Sequence, residues 1–312
     1  MAIATFPPEL TLTRRQLPPK RCRADATRPP RARRGLATWR AAGLGLAACL
    51  ASGCATAKPA DVITTDVGEY SYVRGGQGEA IVVFESGMGG AKDVWAQHWP
   101  TVGGMARYFA YDRPRQGQSR SRNETRDGLT IVNELHALLR AAELPPPYIL
   151  VGGSMGGMYM ELYARTYPQD VRGVVLVESR AATVTQRCEE TGSPCDPATP
   201  LGRFLAPRRF KGEVKAMKAT EAQVQAAPPF PEVPLAVLTG TQARRREGEF
   251  MTVWIETQQE LAELSPISKH IVCDTCSHGL HIDRPDLLID ALEWVLEASA
   301  ESAGELAASS KP

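Results

Sequence analysis

Beyond its first forty residues the chain has no basic excess. Ten of its 36 Lys and Arg fall within residues 1–40, where the only acids are Glu9 and Asp25; the remaining 26 basic residues face 33 acidic ones. A body with a net charge of −7 has no footprint for a phosphate backbone, so no nucleic-acid partner is expected. The uncharged run of the leader, Ala41 to Gly53, is also short. A mature membrane-spanning helix needs ~20 apolar residues, whereas a run of this length suits the apolar region of an export signal. Internal repeats are lacking, and so is any zinc-module spacing. A length of 312 residues allows one large α/β domain or at most two small ones.

Within the leader, "RARRGLATWRAAGLGLAACLASGC" runs from arginines through the uncharged stretch to Cys54. "LASGC" resembles a bacterial lipobox, in which the cysteine is lipidated and becomes the mature N-terminus. Cys49, ending "LAAC", is the rival, and an ordinary cleaved signal without lipid is the plainer alternative. Residues 1–53 are thus read as leader, 54–65 as tether, 66–300 as a folded domain and 301–312 as a disordered tail. An exported protein held by a lipid at the bacterial cell envelope is expected. Four cysteines remain in the body: Cys188, Cys195, Cys273 and Cys276. An even number in an oxidising compartment suggests disulfides. Closeness in sequence favours Cys188–Cys195 and Cys273–Cys276; a four-thiolate zinc site is the competing reading.

The body alternates strand and helix patterns. "AIVVFESG" (80–87), "ARYFAYDRP" (106–114), "YILVG" (148–152), "VRGVVLVES" (171–179) and "VPLAVLTG" (233–240) are apolar runs suited to strands buried on both faces. Helical spacing separates them, as in 129–144, where Ile131, Leu135, Leu138, Leu139 and Ala142 share one face. A Pro-rich insert, 179–232, interrupts the alternation and is expected to form a small lid. The pattern predicts an α/β fold: a mostly parallel central sheet flanked by helices, with loops gathered at the C-terminal edge of the strands.

"GGSMG" (152–156) stands directly after a strand and directly before a helix. G-x-S-x-G in that context makes a sharp turn that exposes the serine hydroxyl, with Gly152 and Gly156 at positions too crowded for side chains. Ser154 is the candidate nucleophile. The Met155 N–H, at the start of the helix, is aimed where a negative oxygen would develop. Ser154 needs a base. Of the five histidines, His278 and His281 lie in the loop between the last strand and the last helix; His278 is the candidate base and His281 its reserve.

"VVFESGMGG", "YDRPRQGQS", "GGSMGG" and "SHGLHIDRPD", in this order, make the chain resemble the α/β-hydrolase fold family from about residue 66 to 297. The resemblance puts His278 in the family's histidine position and assigns the second oxyanion donor to the backbone N–H of Met88. Ser86 stands where the family commonly has histidine. The usual acid position, after "PLAVLTG", holds no carboxylate until Glu247. The family's other site, the end of the preceding strand, holds Glu178, and a carboxylate there needs a partner. Glu178 is therefore the candidate third member, with Glu85 as the second choice. Asp112 reads as a carboxylate that holds its own loop.

The resemblance implies a serine esterase that uses no metal or cofactor and acts on a small-molecule ester. Acyl transfer, perhydrolysis, amide cleavage and a catalytically dead binding lipoprotein stay open beside it, as does the oligomeric state. The leader itself yields one expected outcome. Cells fed a fatty-acid analogue should label the protein, and Cys54→Ala should abolish the label; label retained in that variant would place the anchor elsewhere.

Overall fold

The computed structural model describes residues 61–121, 125–192, 208–242 and 248–309. The leader with Cys54, and Cys195, lie outside the described residues.

Nine strands form one sheet: β1 (Asp61–Thr64), β2 (Gly68–Gly75), β3 (Ile81–Glu85), β4 (Arg107–Tyr111), β5 (Arg120–Ser121), β6 (Tyr148–Gly153), β7 (Val171–Val177), β8 (Leu235–Gly240) and β9 (Ser268–Cys273). Their order is β1-β2-β4-β3-β6-β7-β8-β9, with β5 on β2. From β4 to β9 every pairing is parallel. β2 runs antiparallel to β1, β4 and β5. The helices are α1 (Trp99–Met105), α2 (Gly128–Ala141), α3 (Met155–Thr166), α4 (Val184–Thr191), α5 (Arg208–Gln225), α6 (Glu249–Ala262), α7 (Leu280–Asp283) and α8 (Pro285–Ser309), and a 3-10 segment spans Lys92–His98.

The apolar runs become the buried centre because successive strand residues point to opposite faces, and here both faces are covered. Ile81, Val83 and Leu150 pack toward α2 and α3, while Val82, Phe84, Ile149 and Val151 pack toward α1 and α8. The predicted stripe of α2 is buried at all five positions, and Asp127 caps that helix by accepting the Thr130 N–H at 3.1 Å. On α8, Leu288, Ala291, Leu292 and Val295 repeat at helical spacing and are fully buried.

Two boundaries differ from the sequence reading. Residues 61–64, expected in the tether, form edge strand β1 on β2. The strand is short and mostly exposed, so it carries no core periodicity. Helix α8 runs to Ser309, well into the expected disordered tail. Among the described residues, the insert 179–232 contributes helices α4 and α5, and α5 docks on the body. There Arg180 pairs with Glu221 at 2.8 Å, and Thr220 Oγ1 accepts the Gly128 N–H at 2.9 Å.

Leu150 sits in the central strand with no exposed surface. Leu150→Ala should lower stability by about 2–5 kcal/mol, read as a fall in the urea midpoint with an unchanged slope.

Candidate active site

Parallel register brings four strand ends to one edge. Glu85 lies beside Gly152, Gly153 beside Val177, and Val177 beside Leu238. Ser154 follows β6 at φ 54°, ψ −124°. A non-glycine residue there costs ~1–3 kcal/mol and persists only where its surroundings dictate it. Three hydrogen bonds do so: the Ser154 N–H donates to Val177 O (3.1 Å), and its carbonyl accepts from Gly157 N (3.1 Å) and Arg180 N (3.0 Å). The two elbow glycines are sterically required. A Cβ on Gly152 would lie 2.6 Å from Gly156 O, and one on Gly156 would lie 2.5 Å from the carbonyl oxygens of both Glu85 and Ser86. All of those are backbone atoms that have no freedom to yield.

His278 Nε2 is 3.1 Å from Ser154 Oγ, and its Nδ1 is 3.2 Å from Glu178 Oε2. With the carboxylate accepting at Nδ1–H, the neutral ring presents Nε2 as an acceptor to the hydroxyl. Glu178 is 1% exposed and directly follows β7. Its other oxygen accepts from Gly240 N–H at 2.6 Å and Trp254 Nε1–H at 3.4 Å. These donors supply what a buried carboxylate needs, and the Trp254 ring stands edge-on to the imidazole at 6.0 Å. The His278 loop begins at a disulfide between Cys273 and Cys276, the expected pair, and this bond removes two of the four thiolates that a zinc site would need. Thr241 N–H and Gln242 N–H bond the carbonyls of Cys273 and Cys276 at 3.0 Å each, tying the loop to the end of β8. Cys188 is also disulfide-bonded.

The two reserve residues stand apart from this chain of contacts. Glu85 is wholly buried and bonded to Arg113 and Tyr111. Burial pushes its carboxyl up, against the opposing pull of Arg113 and Tyr111. His281 packs its ring on Trp95 at 4.7 Å and near His98 at 6.1 Å. Burial, helped by His98 and His278, pulls its pKa down to about 4, so it stays neutral near pH 7. Asp112 accepts the backbone N–H groups of Lys92 (2.8 Å) and Gln118 (3.0 Å), as expected, and also holds the Lys92 ammonium at 2.9 Å.

Beside Ser154 and His278 opens a cleft of about 330 Å³, walled by Gly87, Met88, Val94, Trp95, His281 and Ile282 among others. That is the small end of the ~300–1,000 Å³ usual for small-molecule sites. None of its lining residues comes from the described part of the insert. Met88 lines the cleft, whereas Met155, Met158 and Met160 are packed in the core. Sequence reasoning missed Trp95, His281 and Ile282 as wall residues and Arg113 as a buried anchor. The one available signal for Arg113 was its place directly after an apolar strand, in "YDRP".

The His281 environment carries a pH consequence. Between its ordinary 6.5 and its folded value of about 4, the unfolded chain takes up a proton that the folded chain refuses. Stability is therefore lost as pH falls through that window. His98, also shifted down by burial, adds to the slope. In His281→Gln the urea midpoint should fall less between pH 6.5 and 4 than in wild type; an equal fall would contradict the assignment.

A family model described as the alpha/beta hydrolase fold matches residues 80–216. The uncharacterized protein YqjL of Bacillus subtilis (strain 168) is 26% identical over 236 residues, 75% of this chain and 90% of that protein. A thermophilic esterase from Thermogutta terrifontis superposes with a TM-score of 0.57 at 19% identity, covering 78% of this chain and 100% of its own. The enol-lactonase from Burkholderia xenovorans LB400 gives 0.55 at 18%, covering 74% and 97%. Strand order, the strand–serine–helix turn and these matches all point the same way: the chain has the α/β-hydrolase fold.

Proposed function

We propose that the protein is a serine hydrolase that cleaves carboxylic esters through an acyl-enzyme. The observation that carries this reading is His278, with Ser154 Oγ at 3.1 Å on one ring nitrogen and Glu178 at 3.2 Å on the other. Ser154 Oγ attacks the acyl carbon while His278 Nε2 takes its proton. Glu178, buried and fixed by Gly240 and Trp254, holds the tautomer and stabilises the imidazolium. The N–H groups of Met88 and Met155 receive the tetrahedral oxyanion, and the loss of one such donor typically costs ~100–1,000-fold in turnover. His278 then protonates the departing alcohol. Water attacks the acyl-enzyme with His278 again as base, releasing the acid and restoring Ser154.

The ester class is supported by the kinds of protein that share the fold, an esterase and a lactonase. It is supported also by the cleft wall, which is largely apolar and, among the described residues, includes no lysine, arginine, aspartate or glutamate. A neutral acyl group of modest size suits such a wall. With Cys54 as lipidated residue, the enzyme would work from the cell envelope on esters arriving from outside; the leader alone carries that part of the reading.

Hydrolysis of p-nitrophenyl esters with two to sixteen acyl carbons is the test. Wild type should turn over with an optimum among the shorter chains, and Ser154→Ala and Glu178→Gln should each lose about 10⁴-fold in turnover. Unchanged hydrolysis by Ser154→Ala would sink the proposal. A folded protein that neither hydrolyses these esters nor reacts with an organophosphonate at Ser154 would favour a binding lipoprotein.

A further inference from the structure

Helix α5 of the insert reaches the loop after β3 through the buried side chain of Arg113. Arg113 follows β4 and is 1% exposed. A guanidinium has five N–H donors, and here all five have acceptors. Nη1 bonds Glu85 Oε1 and, at 2.6 Å, the Ser86 carbonyl; Nη2 bonds the Gly87 carbonyl at 2.8 Å and Glu213 Oε2 at 3.0 Å; Nε bonds Glu213 Oε1 at 2.9 Å. Two of these acceptors are consecutive carbonyls of the loop after β3. Glu213 belongs to α5, in the insert. A second contact accompanies the fork: the Phe210 ring, also on α5, lies where a Cβ on Gly89 would come within 1.9 Å.

The peptide joining Gly87 to Met88 is planar and trans, so its N–H points opposite to its C=O. With the Gly87 carbonyl held on Arg113, the Met88 N–H is directed away from Arg113. The cleft that contains Ser154 is lined by Gly87 and Met88 but not by Arg113. Gly87 itself lies against the serine, its Cβ position 3.2 Å from Ser154 Cβ. Among the described residues the Met88 N–H has no acceptor of its own, while the Gly87 carbonyl takes a second bond from Gly90 N–H at 3.0 Å.

We infer that Arg113 is a positioning residue that aims the Met88 oxyanion donor, and that Glu213 makes this aim depend on how α5 of the insert is docked. This rests on the serine-hydrolase reading, in which the Met88 N–H receives the oxyanion. Helix α5 then acts on turnover from behind the loop: a displaced α5 releases one side of the guanidinium fork, and the two loop carbonyls lose their fixed partner. Lysine has a single-point ammonium with three donors and lacks the planar fork, so it is unable to serve both carbonyls and both carboxylates together.

The test compares Arg113→Lys and Glu213→Gln with wild type in the full chain, on the best p-nitrophenyl ester. Both variants should lose about 10–100-fold in kcat, a part of the loss expected for a whole oxyanion donor, with KM within about threefold. Phosphonylation of Ser154 should slow in parallel, because the phosphoryl oxygen uses the same donors. The pH–rate profile should stay in place, because His278 and Glu178 are not touched. If Arg113→Lys does not fold, Glu213→Gln decides, since it keeps the guanidinium and its Glu85 partner. Folded variants with unchanged kcat would overturn the inference, as would a loss expressed in KM alone or a displaced pH profile. Failure of the underlying reading would show separately, as hydrolysis that survives in Ser154→Ala.

Discussion

A single strained turn organises the catalytic edge. Ser154 stays at positive φ because β6 enters it, α3 leaves it, and hydrogen bonds to the Val177 carbonyl and from the Gly157 and Arg180 N–H groups hold its peptide groups. The turn tolerates no Cβ at Gly152 or Gly156, since those positions are filled by backbone of α3 and of the loop after β3. The close approach that forbids side chains is also what sets the β3 loop against the serine. Strain at one residue is thus sustained by contacts from the two neighbouring strands, β3 and β7, the usual condition for such strain to survive in a marginally stable fold.

Two buried charge clusters flank this turn, and each depends on full satisfaction. Glu178 is buried yet has donors from His278, Gly240 and Trp254. Arg113 carries two carboxylates and two carbonyls on one guanidinium. Buried pairs add little net stability over apolar packing, but breaking one by removing a partner costs ~3–5 kcal/mol. Such groups are expensive to disturb and therefore hold geometry well. On the other side of the cleft, burial pulls His98 down and His281 down to about 4, so the His281 ring on Trp95 stays neutral near pH 7.

Much of this was legible in the chain because the signals are local. Continuous apolar runs mark strands covered on both faces, and β3, β6 and β8 are buried along their whole length. The G-x-S-x-G turn is identified by its strand and helix neighbours, and the Ile131–Ala142 stripe by its period. Glu178 was reached through an absence, the missing carboxylate after β8, combined with the cost of leaving an acid unpartnered at a strand end. β1 was read as tether because a four-residue edge strand buries too little to show a pattern. The tail was read as disordered because small and polar residues carry no strong stripe, yet α8 extends through them to Ser309.

By itself the sequence determined the alternation of strands and helices, the serine on its turn, and a short set of partners for it. Those features depend on neighbours in the chain: period, punctuation and steric need within a few residues. Only the tertiary structure shows that His278 rather than His281 stands against Ser154, and Glu178 rather than Glu85 against His278, because those contacts depend on which strand ends the parallel register brings side by side. It also sets helix α5 against the loop after β3, where Glu213 meets Arg113 across 100 residues of chain. Pairing at that range has no local signature, since any of the chain's acids could in principle partner any buried arginine until packing selects one.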